Sequence, residues 1–358
     1  MFGHHFLALG LILMQTWAMP NVLRKVGQGD SPPLVLPTAA STSNAIAASQ
    51  MDYLARVALG AATDHIARHQ QKGCTKQNLR LERPATLVAG AKTRYDDFVA
   101  THINQTLEIH FTGTFLAWHR YFIYGFEQAL RDECAYAGDY PYWDWSADIE
   151  HIEQSPVFDG TDTSMSGNGV HIANEADIPL KLDSYPALIV PAGTGGGCVT
   201  SGPFKDYTVN LGPAALVLPG GNRYNNYTAV ANLILQNHDI WDFEMTMQGV
   251  PGSGSLGVHG GGHYSMGGDP GRDVYVSPGD PAFWHHHGMI DRVWWIWQNL
   301  DVENRLNAIS GTGTFLNQPP LANTTLETFV DLGFANGAPV QMKEIMSTTA
   351  GPFCYVYV

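Results

Sequence analysis

Apolar residues recur at steps of three and four over five stretches of the chain, and each stretch predicts an amphipathic helix: about 45–71, 91–102, 114–135, 226–243 and 281–299. The last opens on Asp280 and Pro281, a helix-start signal, and runs uninterrupted but for Gly288 to about Gln298. Its inward stripe is Phe283, His287, Ile290, Trp294 and Trp297. The helix from Thr114 to about Glu133 carries the stripe Phe115, His119, Phe122, Phe126 and Leu130. From about 147 to 222, Gly, Pro and Ser break every period, so loop with short strands is expected. The chain therefore reads as mainly α, with no internal repeat.

Each of those two stripes contains one histidine where only apolar residues are expected. In "DPAFWHHHGMIDR" three histidines are adjacent, and successive helical residues turn about 100° each, so they cannot all face one ion. His287 lies in the buried stripe. His285 lines up with Met289 and Arg292, toward solvent, and His286 falls between the two faces. Upstream, "VHGGGHY" places His259 and His263 at i, i+4, where two imidazoles can share a metal. The three glycines between them are poor helix formers, and their presence predicts a close approach of something to the backbone. "HINQTLEIHFTGTFLAWHRYFIYGFEQAL" adds His102, His110 and His119.

Six imidazoles with no thiolate or carboxylate run suit copper better than calcium, magnesium or an iron–sulfur centre, and zinc remains chemically acceptable. Two groups of three make two open sites rather than one closed tetrahedron, and open sites are reactive.

The segment "HFTGTFLAWHRYFIYGFE", together with "HGGGH" and "DPAFWHHHGMIDRVW", resembles the paired histidine motifs of the type-3 dicopper proteins: tyrosinases, catechol oxidases and haemocyanins. "PYWDWS" and the closing "YVY" at Tyr355 to Tyr357 extend the resemblance from about residue 50 to the C-terminus. It implies a helical bundle holding two copper ions, one by His102, His110 and His119, the other by His259, His263 and His287. Dioxygen and small phenols would be the reactants, and the product an o-quinone. The resemblance also places Phe283 beside the second copper and Val274 at a gate position above the first. Gly260, next to a ligand, would line the substrate pocket, and Tyr264 and Trp118, also adjacent to ligands, would shape it or simply pack.

Departures from the family bear on substrate choice. Where many tyrosinases have a cysteine that crosslinks the second ligand, this chain has Glu108, so no thioether forms. Where many use a glutamate and an asparagine to hold a water that helps deprotonate a monophenol, "FEMTMQG" offers Gln248, and Gly260 follows His259. A neutral amide orients water but aids a base less than a carboxylate does. Stronger action on catechols and o-aminophenols than on monophenols is expected, with Gln248 and His286 as candidate catalytic groups. Asp291, one turn after His287, is expected to orient a ligand or to pair with Arg292.

The 358 residues, 44% of them hydrophobic, are long enough for a large core, and the histidines span 102 to 287, which favours one catalytic domain over 45–358. A formal charge of −14 and the lack of a basic patch argue against nucleic acid and anionic membranes. No obligate protein partner is expected. Residues 1–18 read as a signal peptide, whose apolar run from Phe6 to about Leu13 is too short to span a bilayer. Residues 19–44 read as a flexible leader. Secretion would make Cys74, Cys134, Cys198 and Cys354 two disulfides and give meaning to the N-x-T sequons at Asn104, Asn226 and Asn323, the first on an exposed loop if modified. The His65 and His69 pair reads as a solvated helix face, and "PAGTGGGCV" lacks the Gly-Lys-Ser ending of a phosphate loop. An oxygen carrier would use the same six histidines, but the end of the sequence directly after "YVY" leaves no expected C-terminal lid, which favours an enzyme. A structural zinc protein would show no oxygen chemistry.

Overall fold

The computed structural model describes residues 50–59, 91, 93–165, 167–182, 184–205, 224–268, 270–335 and 337–358. The signal peptide, the leader, the helical pattern past residue 59, His65, His69 and Cys74 lie outside the described residues.

The helices expected from periodicity are present, with two boundary differences that have local causes. After α1 (residues 50–59), α2 spans Arg94–Ile109 rather than ending at residue 102. It starts at a reciprocal capping box in which Thr93 accepts from Asp96 N–H and the Asp96 carboxylate accepts from Thr93 N–H. Past residue 102 the helix buries a polar residue, Thr106, whose hydroxyl is satisfied by the His102 carbonyl one turn back, so apolar spacing does not mark the extension. The helix α3 covers Phe115–Cys134, as its stripe predicts. The pattern over 226–243 resolves into two helices, α4 (Tyr227–Gln236) and α5 (Ile240–Gln248). Asn237 is extended between them, and Asp239 caps α5 by accepting from Asp242 N–H, a turn-and-restart signal within "QNHDIWDF" that apolar spacing alone does not reveal. Then come α6 (Gly257–Met266) and α7 (Ala282–Asn299).

Every residue of α7 is buried, including His285 and Arg292, so the expectation that His285 faces solvent is overturned. The polar side of this helix is covered by the 140–145 strap. Tyr140 donates to the Trp284 carbonyl, Trp143 N–H to the His285 carbonyl, and the Arg292 guanidinium lies 4.9 Å over the Tyr142 ring. The apolar side packs on α2 and α3 through Phe98, Phe122, Phe126 and Trp284, with Trp284 stacked on Phe126 at 3.7 Å between ring centres.

Strands are short, as expected for the described part of 147–222. Gly169–His171 pairs antiparallel with Gly196–Val199, and Ile178–Leu180 with Leu188–Val190. A third ribbon joins Phe329–Val330 to Val340–Gln341. Cys134 and Cys198 are free, so the four cysteines do not form two disulfides, although Cys354 is disulfide-bonded. Asn104 sits on the exposed face of α2 rather than on a loop, Asn323 is exposed, and Asn226 uses its side chain to cap α4. No described helix is long and apolar enough to cross a membrane.

A buried charge network ties the chain's end to the two central helices. Arg120 of α3 meets Asp291 of α7 at 2.6 Å, and its other nitrogens donate to Met346 O and Gln298 Oε1. The second Asp291 oxygen accepts from both Tyr355 and Tyr357 at 2.6 Å. Asp291 thus neither touches a candidate ligand nor pairs with Arg292. Asp291→Ala would leave a buried guanidinium uncompensated and is expected to cost ~3–5 kcal/mol, read as a lower unfolding midpoint. Tyr357→Phe, which removes one of two hydroxyl donors, should cost less, about 1–3 kcal/mol. Equal midpoints for Asp291→Ala and wild type would show that the network does not hold the helices.

Candidate metal centre

Two groups of buried histidines lie side by side between α2, α3, α6 and α7. His102, His110 and His119 form one; His259, His263, His286 and His287 form the other, with one ring nitrogen of each within 4.8 Å of the others in its group. The groups abut: His119 stacks on His287 at 4.4 Å between ring centres, and His110 lies 5.9 Å from His259.

Local structure sets how these rings point. His102 Nδ1 bonds the Tyr275 carbonyl, His110 Nδ1 the Thr106 carbonyl, His119 Nδ1 the Phe115 carbonyl and His263 Nδ1 the Gly271 carbonyl, all at 2.8–3.0 Å. A carbonyl only accepts, so each Nδ1 carries the proton and each Nε2 keeps its lone pair. The Nε2 atoms of His102, His119, His259 and His286, both ring nitrogens of His287, and Nδ1 of His285 outside the two groups are buried without a hydrogen-bond partner. Buried nitrogens left in this way are costly unless something binds them. A neutral, nitrogen-only donor set with converging lone pairs fits copper.

Burial also removes the proton that would compete with a metal. It pushes His110 and His263 down to about 4, and it drives His102, His119, His259 and His287 well below the usual imidazole range, where neighbouring imidazoles push them further.

The glycines of α6 serve the close approach that their placement implies. At Gly261 a side chain would collide with Asn225 and Tyr224, and at Gly262 it would collide with the His286 ring. Phe283 packs against both groups, 4.2 Å from His287 and 5.6 Å from His102 between ring centres. Gly260 is half-buried and faces Leu256. Val274 is exposed and precedes Tyr275, whose carbonyl orients His102. Tyr264 packs on the small cluster of Val190, Tyr224 and Leu256, and burial pushes its hydroxyl up to about 12. Trp118 is buried, donating to the Asp331 carbonyl and stacking on Phe122.

The two expected catalytic side chains have other partners. Gln248 Oε1 accepts from Phe111 N–H at 2.7 Å, holding a backbone with φ of 50° immediately after His110. Its Nε2 donates to the Glu244 carbonyl. His286 is buried and its Nδ1 accepts from Trp145 Nε1 at 2.9 Å, which takes the lone pair a base would need. Sequence reasoning overlooked Trp145, whose only signal is its place in "PYWDWS". It also passed over Glu244, a buried carboxyl one turn before Gln248 that burial pushes well above its ordinary range.

A family model described as the common central domain of tyrosinase matches residues 92–300. The chain is 42% identical to tyrosinase P of Aspergillus terreus, over 77% of this chain and 85% of that protein. It is 37% identical to an N-acetyl-6-hydroxytryptophan oxidase of Emericella nidulans, over 75% and 82%. Its fold is similar to that of a polyphenol oxidase variant from Thermothelomyces thermophila, with TM-score 0.75, 35% identity, and coverage of 87% of this chain and 98% of that one.

The lowered histidines make metal-free stability depend on pH. An unfolded chain's imidazoles titrate near ~6.5, against about 4 for His110 and His263 in the fold. Between these values the unfolded chain binds more protons, so stability is full above the higher value and is lost as pH falls toward the lower. Carboxyls that burial raises oppose this over part of the window, Asp280 to about 6 and Glu244, Glu127, Asp144 and Asp148 upward as well, but they are fewer than the eight lowered imidazoles. The thermal midpoint of metal-free protein is therefore expected to fall from pH 7 to pH 4.5. A flat midpoint would mean that these rings keep their protons in the fold.

Proposed function

The chain belongs to the tyrosinase family and is a copper oxidoreductase with a dinuclear copper centre, and from that premise we propose that it oxidises o-diphenols and o-aminophenols to o-quinone products, with weak action on monophenols. The first copper is assigned to His102, His110 and His119, the second to His259, His263 and His287. The observation that carries this assignment is the set of buried nitrogens that converge from the two groups, the unpartnered Nε2 atoms of His102, His119 and His259 and both nitrogens of His287; His286, whose Nε2 is equally unpartnered, is set aside because its Nδ1 accepts from Trp145 Nε1. Bound copper supplies the electron transfer from phenol to dioxygen; two catechols and one O2 give two quinones and two waters, so each catechol loses two electrons and two protons.

The protein's own part is positional. Backbone carbonyls fix the tautomers of four ligands, α7 brings His287 against His119, and the Phe283 ring packs against a histidine of each group. No side chain projects from Gly260 beside His259, which leaves room there for a substituted ring. The preference for catechols is supported by what α5 lacks. Gln248 is neutral and already bonded to Phe111, and the Glu244 carboxyl is held toward its protonated form, so neither is a ready base for a monophenol. A relative named for N-acetyl-6-hydroxytryptophan supports a hydroxylated aromatic as the substrate class.

We read the protein as secreted, with a catalytic domain over 45–358 behind a signal peptide and leader. This rests on the sequence of residues 1–44 and on the exposed sequons at Asn104 and Asn323.

Initial rates on 4-tert-butylcatechol and tyrosol test the substrate preference. The catechol is expected to turn over about 100-fold faster or more, the lower end of what a general base contributes, and faster turnover of the monophenol would reverse the reading. Copper analysis tests the ligands: His287→Ala should bind one copper per chain, while His285→Ala should keep two. Retention of both coppers by His287→Ala would refute the assignment.

A further inference from the structure

The second histidine group holds four imidazoles where the proposed copper site uses three, and nothing in the backbone separates His286 from the others. Its ring lies 4.6 Å from His263 and 5.6 Å from His259 between centres, stacked on the latter with 24° between planes. Gly262 lets it lie directly on α6, since any side chain there would collide with the ring. By distance alone His286 is as eligible a ligand as its neighbours.

Its hydrogen bond is what differs. Where four of the proposed ligands donate Nδ1–H to a carbonyl, His286 Nδ1 faces the indole Nε1–H of Trp145 at 2.9 Å. An indole nitrogen only donates, so Nδ1 must accept and the ring's single proton must sit on Nε2. In that tautomer Nε2 carries a buried N–H with no hydrogen-bond acceptor, and neither nitrogen has a lone pair for a metal. Trp145 is fully buried, in the short helical turn Trp145–Asp148 that follows the 140–145 strap. The segment is held just before and within that turn: Trp143 N–H bonds the His285 carbonyl, and the Ser146 hydroxyl bonds the Asn225 carbonyl.

We propose that Trp145 is a positioning residue that withholds His286 from the metal, leaving the second copper three histidines and an open coordination position instead of a closed set of four. This rests on the assignment of His259, His263 and His287 as ligands. The tight fit of His286 against Gly262 keeps the ring within reach of the indole, and the indole decides which nitrogen holds the proton.

The test has two arms that separate failure of this inference from failure of the ligand assignment. In metal-free wild-type protein labelled with 15N histidine, His286 Nδ1 should show the shift of an unprotonated nitrogen and Nε2 that of a protonated one. The opposite pattern overturns the inference whatever copper does. In the copper-loaded oxidised protein, two coupled cupric ions are silent in electron paramagnetic resonance. Trp145→Phe should raise the visible cupric signal several-fold over wild type, with a four-nitrogen splitting pattern, as His286 joins the second copper and weakens its coupling to the first. Trp145→Phe combined with His286→Leu should return the signal to the wild-type level. If Trp145→Phe does not fold, benzothienylalanine at position 145 keeps the ring shape and removes only the N–H. A single substitution that keeps two coppers and stays silent refutes the role of Trp145, and visible uncoupled copper in wild type refutes the ligand assignment instead.

Discussion

The structure depends on keeping a cluster of imidazoles buried and uncharged with their lone pairs turned inward. Seven rings in the two groups share a space without a counter-charge, which is tolerable only while they are neutral, and burial lowers each of them. Neutrality alone does not aim a lone pair. Backbone carbonyls at Tyr275, Thr106, Phe115 and Gly271 do, by accepting Nδ1–H. Two of these lie four residues before the histidine on the same chain, so a helix or its last turn supplies its own orienting group. The other two come from the 267–276 loop, which makes that loop part of the site although it contributes no proposed ligand.

Such a site needs rigid walls, because misplaced imidazoles would leave their nitrogens buried and unbound. The walls are aromatic on one side, where Trp284, Phe98, Phe122 and Phe126 join α2, α3 and α7. On the other they are ionic. Arg120 follows His119 and Asp291 lies one turn after His287, so their contact fixes the two helices whose histidines stack. The closing tyrosines satisfy the remaining oxygen of Asp291, and Arg120 stacks 3.8 Å over Trp294. The C-terminal segment thereby becomes a structural partner of the metal-bearing helices.

Much of this was legible in the chain. Periodicity placed α3 and α7 and put His119 and His287 on their buried stripes, because burial on one face imposes a 3.6-residue repeat on the sequence itself. The glycines of "VHGGGHY" signalled a close approach, because only a missing side chain admits one. The type of chemistry followed from the donor set, since imidazole nitrogen without thiolate or carboxylate selects few metals.

What the sequence could not decide were the partners of polar atoms brought together across long separations. Its period predicted an exposed His285, but the 140–145 strap covers that face. Gln248 looked like a water-holding amide, yet it bonds the backbone at Phe111, 137 residues away. Asp291 looked like a neighbour of Arg292 and is instead the partner of Arg120, Tyr355 and Tyr357. Whether His286 can offer a lone pair depends on an indole 141 residues distant. Sequence determined which helix faces point to the core and which chemistry their residues can perform, because both are properties of a residue and its local period. Tertiary structure alone decided which hydrogen-bond partner each buried polar atom meets, because that pairing is a contact between segments that no local pattern encodes.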